Sequence, residues 1–234
     1  MLSALPETPH VRRLVLRVPD WAGHLPGQHL DVRLTAPDGY TAQRSYSIAT
    51  APRGDQLDLV VEALDDGEVS PYLVQEVRAG DELEVRGPVG RWFVWHQGLA
   101  GPLQLIAGGS GVVPELAMLD AHTRAGSDVP VRLLYSVRTL ADVISPGALE
   151  ASAARLTLAV TREPTAEAPS PRWALSHGRV DAALLAQHVV PPEQDPAVFV
   201  CGSSGFVETV AAALVELGHA PGRVKTERFG ASGT

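Results

Sequence analysis

Several stretches of this chain carry glycine or polar residues where a structural segment would carry apolar ones. In "AGGSGVVPELAML" (107–119), Gly109 and Gly111 flank Ser110 at GxG spacing, between an apolar run and a helical one. Glycines let a backbone approach a pyrophosphate, and a helix opening there adds free N–H groups and the positive end of its dipole. Pro114 stands where a dinucleotide fingerprint has its third glycine, a first-turn position that proline tolerates. The segment is either an anion cradle or a tight strand-to-helix turn with nothing bound. The next strand, "VRLLYSVRT", ends in Ser136 and Arg138 and lacks the acid that holds a ribose diol, and Arg162 ends the strand after it. A hydroxyl and guanidiniums suit a 2′-phosphate; solvated surface arginines are the other reading.

Two further stretches have the same character. "VFVCGSSGFVETV" (198–210) is another strand–turn–helix, with Cys201 and Gly202 at the strand's carboxyl end and Phe206 in the helix. Ligands of open α/β sheets sit at that end, so Cys201 is near whatever the Gly109 turn holds, or is a small buried hydrophobe. In "RSYSIAT" (44–50), alternation sends Arg44 and Tyr46 to one face of a strand and Ser45 and Ser47 to the other. "DDGEVSPYL" then puts Gly67 and Ser70 before a short helix, a second candidate anion site. A cation, an aromatic plane and a helix start would grip a phosphate-bearing aromatic cofactor. A surface arginine beside a half-buried tyrosine is the plainer alternative.

The elements that must position these residues divide the chain. Runs at 11–18, 28–34, 41–50 and 56–64 alternate between Pro-, Asp- and Gly-rich turns, a helix covers 69–77, and short strands are expected at 82–86 and 91–95. That pattern predicts a small antiparallel barrel. Beyond a boundary near 98–102, strands and helices alternate, which predicts a parallel sheet covered on both faces. The segment 162–173 is Pro- and Ala-rich and reads as a mobile surface loop. The 234 residues suffice for two cores. A net charge of −8 argues against a nucleic-acid partner. The single cysteine excludes a disulfide framework and a multi-cysteine zinc or iron–sulfur site, and no metal is expected. With no apolar run near ~20 residues and no signal-like start, a cytoplasmic monomer away from membranes is expected.

RxYS in the β-rich half, GxxS opening its helix, GGSGxxP after the next strand and CGxxxF near the end occur in that order, with "GPVG" (87–90) and "TERFG" (226–230) between and after them. The array resembles the ferredoxin–NADP reductase family of flavoproteins over nearly the whole chain. It is most like the reductase modules that feed oxygenases, without the appended iron–sulfur domain that some carry. The resemblance implies an FAD-binding antiparallel β-barrel domain at 1–99 and an NADP-binding α/β parallel-sheet domain at 100–234. It implies that Arg44, with Ser45 in the same motif, pairs with the flavin pyrophosphate, that Tyr46 packs on the ring system and that Ser47 hydrogen-bonds near N5. Gly67, Val69 and Ser70 would cap the pyrophosphate, and Val60, Val61 and Glu62 would contact the flavin through backbone. Gly109, Ser110, Gly111 and Pro114 would bind the nicotinamide dinucleotide, with Ser136, Arg138 and Arg162 on a 2′-phosphate. Cys201, Gly202 and Phe206 would lie near the nicotinamide, and Phe229 would cover the flavin. Ser47, Cys201 and Phe229 are then the catalytic candidates.

The function implied is NADPH-dependent reduction of FAD, with electrons passed to a small iron–sulfur protein, a flavodoxin or an oxygenase component. A reductase of a diffusible flavin or ferric complex, and a non-catalytic nucleotide-binding subunit, are the alternatives. An N-terminal strand present in relatives is expected to be short or missing. The loop 163–177 departs most from the family pattern.

Overall fold

Alternating apolar residues between turn-forming Pro, Asp and Gly make the first half of the chain β-structure. The computed structural model describes residues 1–64, 66–165 and 167–229. Strands β1 (Ser3–Thr8), β2 (Val11–Arg17) and β5 (Gln56–Glu62) form one antiparallel sheet in the order β1-β2-β5, and β3 (His29–Thr35), β4 (Thr41–Ser47) and β6 (Glu84–Val89) form a second in the order β4-β3-β6. A bridge between Ile48 and Leu59, with the Ala49 N–H donating to the Asp58 carbonyl at 2.8 Å, joins the sheets into a barrel. Leu14, Leu30, Val32 and Leu59 fill it, and Leu73 of α1 (Ser70–Gln75) seals it from outside.

In the second half, β7 (Leu103–Gly108), β8 (Val131–Val137), β9 (Arg155–Val160), β10 (Trp173–His177), β11 (Ala197–Ser203) and β12 (Val224–Phe229) form a parallel sheet in the order β10-β9-β8-β7-β11-β12. Helices α2 (Val112–Arg124), α3 (Pro146–Ala151), α4 (Ala182–His188) and α5 (Ser204–Glu216) connect the strands. The order reverses at β7, whose neighbours are β8 and β11. A crevice for a ligand opens at such a switch point, outside the carboxyl ends of the strands. Among the described residues, no helix is long and apolar enough to cross a membrane.

Three expectations are corrected. An N-terminal strand is present: β1 pairs with β2 from Ser3 to Thr8, with a register shift between Pro6 and Thr8. It is a sheet edge whose Leu5 is half exposed, the setting in which Pro6 is tolerated, and so it shows no apolar alternation. Residues 91–95 form no strand. Phe93 and Trp95 are buried instead by crossing to the other half, where Phe93 meets Phe199 edge-to-face at 5.2 Å and Trp95 packs on His122 at 5.8 Å. Within 163–177, Trp173–His177 is strand β10, anchored by the buried Trp173 and paired to β9.

One core runs through both halves. Val11, Ala49 and Val60 of the barrel pack in the same cluster as Phe93, Trp95, Leu105, Val112 and Phe199. Burying a side chain the size of Phe93 is worth about 1.5–3 kcal/mol, so this seam holds the halves in a fixed relation. Polar ties reinforce it: Arg13 reaches Glu7 at 2.6 Å, Asp58 at 2.8 Å and the Ser145 hydroxyl at 2.7 Å, while the Ser145 N–H donates to Glu7 at 2.9 Å.

Candidate functional site

The strand motif and the turn before α1 are in contact. Arg44 on β4 places Nη2 2.6 Å from Glu68 Oε2, and the Tyr40 hydroxyl donates to Glu68 Oε1 at 2.7 Å. Next to Glu68, the Ser70 hydroxyl accepts from the Leu64 N–H at 3.1 Å, and a Cβ on Gly67 would stand 2.6 Å from it. The turn therefore folds tightly enough to require glycine, with Val69 fully buried at the start of α1. Alternation along β4 holds. Tyr46 packs against the barrel core, where burial raises its phenol to about 12 and keeps it neutral. Ser45 points the other way and donates to Asp31 at 2.6 Å, away from Arg44. Ser47 is buried, and its hydroxyl has no hydrogen-bond partner. Val60 and Val61 are buried on β5 beside Glu62.

On the parallel sheet, a 3₁₀ turn at Gly109–Gly111 runs directly into α2, with Pro114 buried in its first turn. Gly109 has φ +56, and a Cβ on Gly111 would lie 2.2 Å from the Cys201 carbonyl oxygen. The backbone of β11 and the glycine turn are thus as close as they can be. Phe206 lies under both: a Cβ on Gly202 would come 2.8 Å from its ring and one on Gly108 3.0 Å. Ser136 sits opposite Gly108 at the end of β8. Arg138 stands between Glu62 Oε1 at 3.8 Å and Asp142 Oδ2 at 3.9 Å, so it faces the barrel and is already paired. Arg162 donates its N–H to the Arg138 carbonyl at 2.8 Å, and its exposed guanidinium has no partner among the described residues. Phe229 ends β12 opposite Ser203, packed against the shared core, while Gly230 of the "TERFG" motif lies outside the described residues.

The two halves meet in a row of polar residues. Strand register places His29 opposite Ser47 and Cys201 opposite Glu227. His29 Nδ1 closes the gap at 3.5 Å from Glu227 Oε1. Sequence reading missed His29 and Glu227, although Glu227 lies inside the "TERFG" motif. The hydrogen bond to Glu227 raises the His29 pKa above its ordinary value, outweighing burial. Burial, then the Glu227 carboxylate, push the Cys201 thiol well up, so it stays protonated. Glu227 Oε2, like the Ser47 hydroxyl, is buried without a partner among the described residues. Buried polar atoms are nearly always satisfied, so two orphans in one row mark a place shaped for a polar ligand.

Comparison with known proteins agrees with this division. Residues 7–94 match the family described as an oxidoreductase FAD-binding domain, and residues 105–212 match an oxidoreductase NAD-binding domain. The ferredoxin--NADP reductase B of Sorangium cellulosum is 33% identical over 98% of this chain and 96% of its own length. The chain belongs to the ferredoxin–NADP reductase family. It is an FAD-containing NAD(P)H oxidoreductase, with FAD and a nicotinamide dinucleotide as its cofactors. The ferredoxin--NAD(P)(+) reductase component of naphthalene 1,2-dioxygenase/salicylate 5-hydroxylase systems from Ralstonia sp is 27% identical over 99% of this chain and 69% of that protein. The FAD/NAD-binding domain of the Vibrio cholerae nitric oxide dioxygenase shares the fold, with a TM-score of 0.82 and 23% identity over 98% of this chain and 97% of that one.

Proposed function

We propose that this chain oxidises NADPH at bound FAD and passes the electrons to a separate one-electron redox protein, such as a ferredoxin or an oxygenase component. The observation that carries the reading is the row Ser47–His29–Glu227–Cys201, with its two orphaned buried oxygens, where the flavin-type and nicotinamide-type halves meet. Per nicotinamide oxidised, two one-electron acceptors are reduced and one proton is released. The division between the halves is placed at 99/100, between the end of β6 at Val89 and the start of β7 at Leu103.

The residues fit both cofactors. Arg44 and the backbone amides of Gly67–Ser70 would hold the flavin pyrophosphate, with Glu68 giving way to it. The neutral Tyr46 ring would pack along the flavin, and the free Ser47 hydroxyl would donate to a ring nitrogen. Bound there, the flavin supplies hydride acceptance and single-electron release. The Gly109–Gly111 turn and the start of α2 would hold the nicotinamide dinucleotide's pyrophosphate, bringing its ring over Cys201 and Gly202. The chain's contribution is orientation, since hydride transfer needs reacting atoms about 3–3.5 Å apart. Cys201, as a thiol, offers a small uncharged surface and no nucleophile. Arg162, unpaired among the described residues, is the stronger candidate for the 2′-phosphate than Arg138, and it supports NADPH over NADH.

The test is the visible spectrum of the purified protein, followed by anaerobic NADPH titration. A flavin spectrum that bleaches with one equivalent of NADPH is expected. A colourless protein that takes up no added FAD would sink the reading.

A further inference from the structure

The turn that leads into β3 is built around a histidine whose two ring nitrogens are both in use. Asp20 at φ +58 and Gly23 at φ +90 fold the chain back, and the Trp21 backbone N–H donates to the Val18 carbonyl at 3.3 Å. Inside that turn Trp21 Nε1 donates to His24 Nδ1 at 3.1 Å, and His24 Nε2 lies 2.8 Å from the Thr50 carbonyl oxygen. An indole N–H only donates and a carbonyl oxygen only accepts. His24 Nδ1 therefore presents its lone pair and Nε2 its hydrogen, which fixes one neutral tautomer. His24 is 6% exposed, so water has little access to either bond.

This imidazole staples together two segments that serve the flavin half of the site. Thr50 closes the "RSYSIAT" stretch, three residues after Ser47. Four residues after His24, the Gln28 carbonyl accepts from the Ile48 N–H at 3.0 Å, and the next residue, His29, lies opposite Ser47. The turn and the end of β4 are thus joined at two points, His24 to Thr50 and Gln28 to Ile48. Ser47 and His29 adjoin the second.

We propose that His24 is a positioning residue for the flavin: neutral, it holds the Ser47 end of β4 against His29, and a proton on its ring releases them. The proposal rests on the placement of the flavin at Ser47 given above. A proton on Nδ1 would point one N–H at another across 3.1 Å in a buried site. The Trp21 contact then turns repulsive, and the turn must open for the charge to reach water. The surrounding charges offer the imidazolium no counter-ion. Arg53, after β4, opposes it and is itself tied to Asp58 of β5 at 2.9 Å. From α2, Asp120 is taken up by the Ala51 N–H at 2.9 Å and by Arg124 at 2.7 Å, and Asp20 on the turn itself is exposed.

Burial, opposed by the Thr50 bond and aided by Arg53, lowers the His24 pKa below 6.5. Its contribution is therefore complete above 6.5 and is lost as pH falls through the lowered folded value. His29 gives no such loss, because its raised pKa leaves it protonated across that window.

The test follows the FAD-loaded protein from pH 8 to pH 5. Fluorescence reads released flavin, and long-range proton–nitrogen NMR reads the two His24 ring nitrogens. The neutral Nε2–H tautomer is expected at pH 8, with a midpoint below 6.5 shared by the ring and by flavin release. His24→Gln offers one donor and one acceptor and does not titrate, so it should keep FAD to a pH about one unit or more lower. His24→Phe makes neither bond and should weaken FAD binding about tenfold at pH 8. The opposite tautomer or a charged ring at pH 8, separate midpoints for ring and flavin, or an unshifted midpoint in His24→Gln each overturn the proposal. If circular dichroism shows that the variants do not fold, the ring and flavin midpoints of the unmodified protein decide it. A protein that takes up no FAD sinks the placement of the flavin and this role with it, whereas flavin bound and released independently of the His24 ring sinks this role alone.

Discussion

Arg44 and Glu68 form an ion pair at 2.6 Å that joins the strand motif of the barrel to the turn before α1. The carboxylate occupies the place where the cation would receive a phosphate, and the Tyr40 hydroxyl, then Arg44, hold it below the usual carboxylate range. Both side chains are about half exposed, so the pair is weak and exchangeable. Glu68→Gln is therefore expected to tighten FAD binding severalfold, by removing the competing anion. Arg44→Ala is expected to weaken it about tenfold or more, since a charge-assisted hydrogen bond is lost. Flavin fluorescence on release from each variant measures both. Weaker binding in Glu68→Gln would mean that the carboxylate orders Arg44 for the phosphate.

The nucleotide preference should divide unequally between the two arginines. Arg138 is already paired with Glu62 and Asp142, whereas Arg162 is unpaired among the described residues. Arg162→Ala should erode discrimination against NADH about tenfold, chiefly by weakening NADPH, and Arg138→Ala should do less. Stopped-flow flavin reduction with both nucleotides reads this directly. Equal efficiency of the two nucleotides in the unmodified protein would remove the assignment to NADPH.

The seam between the halves should respond to pH through His29. Its pKa is raised above 6.5, mainly by its hydrogen bond to Glu227, so the folded protein holds a proton there that the unfolded chain releases earlier. The stability this gives is complete below 6.5 and is lost as pH rises through the raised folded value. His29→Gln removes the titration. Thermal melts from pH 6 to 9 should show the unmodified protein losing its advantage over His29→Gln as pH rises; a constant gap would show that the pair is not formed in solution.

How much of this was readable from the chain depends on where each interaction comes from. Gly109, Gly111 and Pro114 were legible because turn, close approach and helix start are properties of adjacent residues, and the alternation of Arg44, Ser45, Tyr46 and Ser47 follows from one strand. The His29–Glu227 pair was not legible, because it arises only when the β3–β4 and β11–β12 registers are brought together across a shared core. The same is true of Arg138, whose charge is spent on Glu62 from the other half. Phe93 and Trp95 carried apolar character that suggested a strand, because burial by a crossing loop and burial by a sheet look alike in sequence. Strands β1 and β10 were hidden for a different reason: both are sheet edges, where pairing on one side alone sustains polar or Pro-flanked residues.

Glu115 offers the sharpest check on the core beneath the glycine turn. It sits in the first turn of α2, wholly buried, with Oε1 accepting from the Ile106 N–H at 3.2 Å and Oε2 without a partner. Burial raises its pKa well above 4.5, which favours the uncharged carboxyl beneath the proposed pyrophosphate cradle. In the unfolded chain the same carboxyl ionises normally. Stability must therefore fall as pH rises above 4.5 towards the raised folded value. Glu115→Gln keeps an acceptor for Ile106 and removes the titration. Urea unfolding at pH 5, 6 and 7 should show the variant gaining on the unmodified protein as pH rises towards the folded value, whatever constant offset its amide introduces. Parallel curves would mean that Glu115 is ionised in the folded state, with a counter-charge or water reaching Oε2.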